Sequence, residues 1–162
     1  MTGKGHSLVG IGVGLALLGA CPALLPHGVS LLSFAGALAG STAPDWLEFP
    51  QRPSFWGGAG TRLIPHRTIT HWWPLWVATV LYALHLQNPL VSPWLLGFGA
   101  GGLSHLLVDL PNPMGVPVWL PFARSRKSLR WWRSGEHEFL IVAVFFIVGL
   151  HFFSPTTLPF FP

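Results

Sequence analysis

This sequence is short of charge: Asp, Glu, Lys and Arg together make up only 9% of its 162 residues, against about 25% in an ordinary soluble domain. Too few ionisable groups are present to cover a water-facing surface, which excludes the usual soluble classes. Cysteine is nearly missing as well. Cys21 stands alone, so no disulfide can form within the chain, no thiolate cluster can hold a metal, and the redox compartment cannot be read. No run interleaves basic and aromatic residues as a nucleic-acid module would. We find no internal repeat and no low-complexity stretch.

What is there instead is apolar. Hydrophobic residues account for 51%, with nine Trp and twelve Phe, and the sixteen Pro and nineteen Gly are tolerated in membrane helices better than in soluble ones. The length has room for one domain, 1–162. The expected fold is all-α: an integral membrane helical bundle with about five spans, near 8–25, 29–43, 72–86, 90–110 and 139–153. The run after Lys4 and His6, ending in Leu18-Gly19-Ala20-Cys21, also resembles a signal peptide with a lipoprotein-type cleavage site. Further spans follow it, however, and Gly10, Gly12, Gly14 and Ala16 favour a helix that packs closely against neighbours.

Five spans place residues 1–7, 44–71 and 110–138 on one side of the membrane. All nine Lys and Arg fall there, including the basic run from Arg124 to Arg133. By the positive-inside rule that side is cytoplasmic, giving a multi-pass protein of the cell inner membrane with segments 44–71 and 111–138 in the cytoplasm. With a formal net charge of +4, the expected partner is a membrane lipid and not nucleic acid.

The chemistry gathers on the same side. Ser104-His105 and Asp109 close the fourth span, and their i, i+4 spacing sets imidazole and carboxylate on one helix face. Asp45 and Glu48 follow the second span. His66, Arg67, Thr70 and His71 precede the third, where imidazole suits a metal and guanidinium suits an oxyanion. Glu138 opens the fifth, and His6 stands at the first. Each feature has a bland reading as a helix cap or interfacial residue. Together, all five acids and five of the eight His at one membrane face predict a convergent polar pocket. Imidazole and carboxylate without thiolate suit zinc, and equally manganese or iron. Such a cation lowers the pKa of bound water to about 7.

The ordered set His6-Ser7, Pro44-Asp45, His66-Arg67 with Thr70-His71, Ser104-His105 with Asp109, and Ser134-Gly135 with Glu138 resembles the YdjM-type family of bacterial membrane-bound metal-dependent hydrolases. The likeness spans residues 5 to 140 or so. It departs from the family pattern in two places. Leu47 stands where members carry a second acid, with Glu48 one residue later, and Thr68 stands where they carry Gly. A more distant similarity is to zinc-dependent phospholipases C and single-strand-specific nucleases, although their later His-x-x-x-Glu element has no counterpart here. The resemblance implies hydrolysis of a phosphate ester, and the membrane setting implies a lipid. The expected metal ligands are Asp45, His71, His105 and Asp109, then His6 and His66. Glu48 or Glu138 is expected as general base or as a partner holding a ligand from behind, and Arg67 as the oxyanion or phosphate clamp. Two other classes fit less well: a divalent-cation or proton transporter, which would want its polar groups in mid-span, and a noncatalytic lipid-binding membrane protein.

Overall fold

A computed structural model describes residues 1–25, 27–48, 67–122 and 126–153. Among them are five α-helices and no β-strand: α1 (Gly3–Leu24), α2 (Ser30–Trp46), α3 (Trp73–His85), α4 (Val91–Asp109) and α5 (Glu138–Phe152), with a single 3₁₀ turn, Ile69–His71, before α3. The all-helical expectation is met. α1 and α4, of 22 and 19 residues with mean hydropathy 2.0 and 1.3, are long and apolar enough to cross a membrane. α2, α3 and α5 have 17, 13 and 15 residues, short of the roughly 20 that a perpendicular crossing takes.

Local chemistry sets the helix ends. The Thr2 hydroxyl accepts from the Gly5 amide at 3.2 Å, an N-cap that starts α1 at Gly3. The apolar run begins only at Leu8, but the helix takes in the polar residues before it, and His6 lies inside it. Asn88 Oδ1 accepts from the Leu90 and Val91 amides, both at 3.0 Å, and so opens α4. Pro74 sits in the first turn of α3, where its missing N–H is not needed. α2 runs on through Pro44 to Trp46, which keeps Asp45 on the helix.

Packing is tightest between α2 and α4. A Cβ built at Gly36 or Gly40 would strike the backbone of Trp94 or Phe98, and one built at Gly97 or Gly101 would strike that of Ser33 or Ala37. The two backbones therefore approach as closely as helices can, by the small-residue logic of membrane interfaces. One apolar cluster joins Cys21, Leu25, Ala83 and Leu96, and another Ala43, Trp76, Leu106 and Val116. Cys21 is thus a buried packing residue of α1.

α5 differs. It rests on α1, where Gly12 meets the Phe145 backbone, and of its own residues only Gly149 is buried. After α4 the chain folds back on itself. Val116 and Lys127 exchange backbone hydrogen bonds at 2.9 and 3.0 Å, the Leu129 amide donates to the Leu110 carbonyl at 3.1 Å, and that of Trp131 to Pro111 at 3.0 Å. The basic segment is therefore pinned beside the end of α4, with Arg126, Lys127, Arg130 and Arg133 exposed. Arg124 lies outside the described residues.

Candidate metal centre

Four elements bring side chains to one buried point. α4 supplies His105 and Asp109, one turn apart and 0% and 2% exposed. α1 lays His6 over them, its ring stacked on His105 at 3.7 Å between centroids and 13° between planes. The 3₁₀ turn presents His71 edge-on to His105, at 5.2 Å and 76°. The end of α2 brings in Asp45, the half-exposed member of the group.

The donor atoms form two overlapping sets, His6–His105–Asp109 and Asp45–His71–His105, each with its atoms within 4.8 Å of one another. Asp45 Oδ1 lies 3.6 Å from His71 Nε2 and 3.9 Å from His105 Nε2. Asp109 Oδ1 lies 3.5 Å from His6 Nε2, and its Oδ2 lies 3.7 Å from His105 Nε2. Bonds of about 2.0–2.2 Å from one cation would span separations only slightly smaller than these.

The tautomer of His105 makes the arrangement specific. Its Nδ1 is 2.8 Å from the Ser41 carbonyl oxygen, which can only accept, so Nδ1 carries the proton and Nε2 keeps its lone pair. Nε2 is fully buried and has no hydrogen-bond partner. A metal-binding histidine is held in just this way by a carbonyl on its far nitrogen. The donors present therefore fit a divalent cation.

Around this point stand groups that hold the others in place. Glu48, wholly buried, accepts through Oε1 from the Arg67 amide at 2.9 Å and from Thr70 Oγ1 at 3.4 Å, and the same oxygen lies 3.3 Å from His71 Nδ1. A proton on that nitrogen leaves Nε2 facing Asp45. Arg67 donates from Nη2 to Asp109 Oδ2 at 2.5 Å and from Nη1 to the Gly115 carbonyl at 2.6 Å. Its backbone is left-handed, with φ 58°, a conformation costing about 1–3 kcal/mol that persists only where the surroundings impose it. The Met1 amine also reaches Asp109, at 3.0 Å from Oδ1.

A family model described as YdjM inner membrane protein matches residues 1–160. The chain belongs to the YdjM inner membrane protein family. No curated protein and no solved structure matches it. The family match agrees with the resemblance read from the ordered motifs.

In this YdjM-family chain, then, His6, Asp45, His71, His105 and Asp109 come together, while His66 lies outside the described residues. The three residues expected as base, outer partner or clamp have defined partners in the structure, and for Glu48 that is the outer place behind a ligand. Glu48 faces His71 from behind, and Arg67 has both Nη atoms engaged. Glu138 takes hydrogen bonds from the Thr2 amide and from Thr2 Oγ1, the latter at 2.8 Å, and so bolts the start of α5 to the start of α1. The Ser41 carbonyl went unseen in the sequence because a backbone oxygen has no residue-type signature. Trp76, whose Nε1 donates to the Thr70 carbonyl at 2.8 Å, steadies the 3₁₀ turn and reads in the sequence only as one more interfacial aromatic.

Proposed function

We propose that this protein is a metal-dependent hydrolase acting at the membrane interface on a lipid-linked ester, most simply a phosphoester. In this reading its five helices cross the inner membrane, the shorter ones at its thinner or more tilted points, and the centre opens to the cytoplasm. The observation that carries it is the meeting of imidazole and carboxylate donors from four elements around His105 Nε2. The distribution of all nine Lys and Arg on one side supports the orientation.

His105, His71, Asp45, Asp109 and His6 would hold the cation, with zinc first and manganese or iron as alternatives. When bound, it supplies Lewis-acid polarisation of an ester oxygen and activates water at neutral pH. The chain's own groups do the rest. Ser41 and Glu48 fix the two imidazoles in their binding tautomers, and Arg67 holds Asp109 in place. Asp45, the exposed acid of the group, is the carboxylate best placed to exchange a proton with solvent. Because His105 has one free ring nitrogen, it can serve one ion, and the two overlapping sets describe a single site with alternative partners.

Two measurements test the proposal together: elemental analysis of protein purified without chelator, and turnover of phospholipid and amide-linked lipid substrates. His105→Ala should abolish both metal content and turnover. Full turnover in a metal-free protein would overturn the proposal. The exposed basic and aromatic segment with Trp119, Arg130 and Trp131 favours one second reading, a noncatalytic lipid-binding protein, in which metal removal leaves lipid association unchanged.

A further inference from the structure

The two donor sets meet in His105 Nε2, which can serve one ion, so they compete for it. What stands behind each donor separates them. A ligating imidazole almost always donates its far N–H to a carboxylate or a carbonyl, which fixes the tautomer and the plane of the ring. His105 has the Ser41 carbonyl in that place at 2.8 Å, and His71 has Glu48 Oε1 3.3 Å from Nδ1. His6 has nothing there. Its Nδ1 is fully buried and has no hydrogen-bond partner among the described residues, so with Nε2 on a cation it would be a buried donor left unmet. A proton on Nε2 instead faces Asp109 Oδ1 at 3.5 Å.

The two acids differ in the same sense. Asp109, only 2% exposed, has each oxygen on a cationic donor: Oδ2 takes Arg67 Nη2 at 2.5 Å, and Oδ1 takes the Met1 amine at 3.0 Å. Arg67 by itself balances the charge. A dication seated on Asp109 would lie against that guanidinium, and like charges repel most strongly away from water. Asp45 has a side chain 45% exposed, and among the described residues its carboxylate meets only the Nε2 atoms of His71 and His105, at 3.6 and 3.9 Å. Its charge is unspent, and solvent reaches it.

We infer that Asp45, His71 and His105 hold the ion, and that His6 and Asp109 are positioning residues. This sharpens the proposed function and rests on it only for the presence of a metal. His6 lies flat on His105 at 3.7 Å and 13° and so keeps that ring in its plane, while Asp109 anchors Arg67 at the entry to the turn that carries His71. Two imidazoles and one carboxylate are the donor complement of a catalytic zinc, whereas a structural zinc takes four protein donors. The ion is then approached from the Asp45 side, past its one exposed donor.

The test uses the full-length chain in detergent micelles, purified without chelator and loaded with zinc alone or cobalt(II) alone. Zinc affinity is read by competition with a chelator, and the cobalt ligand set by visible absorption. Asp45→Ala, at an exposed position, should weaken zinc binding by more than about 100-fold, beyond the 10–100-fold effect of an outer partner. His6→Phe keeps a stacked ring without its nitrogens, so affinity should fall by less than about ten-fold and the cobalt spectrum should not change. A His6→Phe chain that keeps its helical circular dichroism but loses its metal, or shows a different cobalt spectrum, would overturn the inference. So would an Asp45→Ala chain that binds zinc as the parent does. Copper(II)-loaded parent protein decides the same point without any substitution: pulsed electron paramagnetic resonance should count two coordinated imidazoles, and a count of three would overturn the inference. Parent protein that binds no metal would retire the proposed hydrolase along with this ligand set. Metal bound in the expected pattern without turnover would retire the hydrolase alone.

Discussion

The α2–α4 pair and α5 solve opposite problems with similarly apolar residues. Between α2 and α4, glycines let the backbones touch, and the tight seam holds the Ser41 carbonyl 2.8 Å from His105. α5 is apolar on every side, leaves Phe139 88% and Ile147 68% exposed, and packs mainly on α1. Apolarity alone therefore does not tell a helix that positions chemistry from one that leaves its apolar face bare. Close approach and fixed polar partners mark the first, and bare apolar surface marks the second.

That contrast should appear as a gradient of mutational effects. The largest belongs to Arg67→Met, which leaves Asp109 buried without its guanidinium. Removing one partner of a buried pair costs about 3–5 kcal/mol, to be read as a fall in thermal stability in detergent. Next is Glu48→Gln, which keeps the shape but weakens the hold on His71. A loss of about 10–100-fold in metal affinity is expected, measured by competition with a chelator, while the fold is retained. Gly97→Ala comes third: its Cβ meets the Ser33 backbone, and overpacking of this kind costs about 1–3 kcal/mol. Smallest is Ile147→Leu on the exposed face of α5, within about 0.5 kcal/mol of the parent. If Ile147→Leu destabilised as much as Gly97→Ala, the distinction between the two regions would be lost.

The helices were legible because long apolar runs and Pro or Gly punctuation are local signals. Their ends were less so. Lys4, His6 and Ser7 interrupt the apolar pattern, yet α1 includes them because Thr2 caps it and because the buried His6 ring stacks on His105. In the site, the pairing of His105 with Asp109 follows from i, i+4 spacing, and the gathering of His6, Asp45 and His71 is expected from their places at the ends of successive apolar runs. The partnership of Arg67 with Asp109, across 42 residues, depends on how a left-handed residue before the 3₁₀ turn is packed, and no local pattern encodes it. For the same reason the sequence does not name the partners of Glu48 and Glu138, because the 67–71 segment and Thr2 are brought to them only by tertiary packing.

The central claim is that one buried imidazole, held by Ser41 and approached by donors from three other elements, organises a metal site. The most direct test is elemental analysis of chelator-free protein beside His105→Ala prepared identically. The account predicts a single divalent ion bound per wild-type chain and none in the variant, with both retaining the same helical circular dichroism. Wild-type protein devoid of metal, or a His105→Ala variant that keeps the full amount, would contradict it.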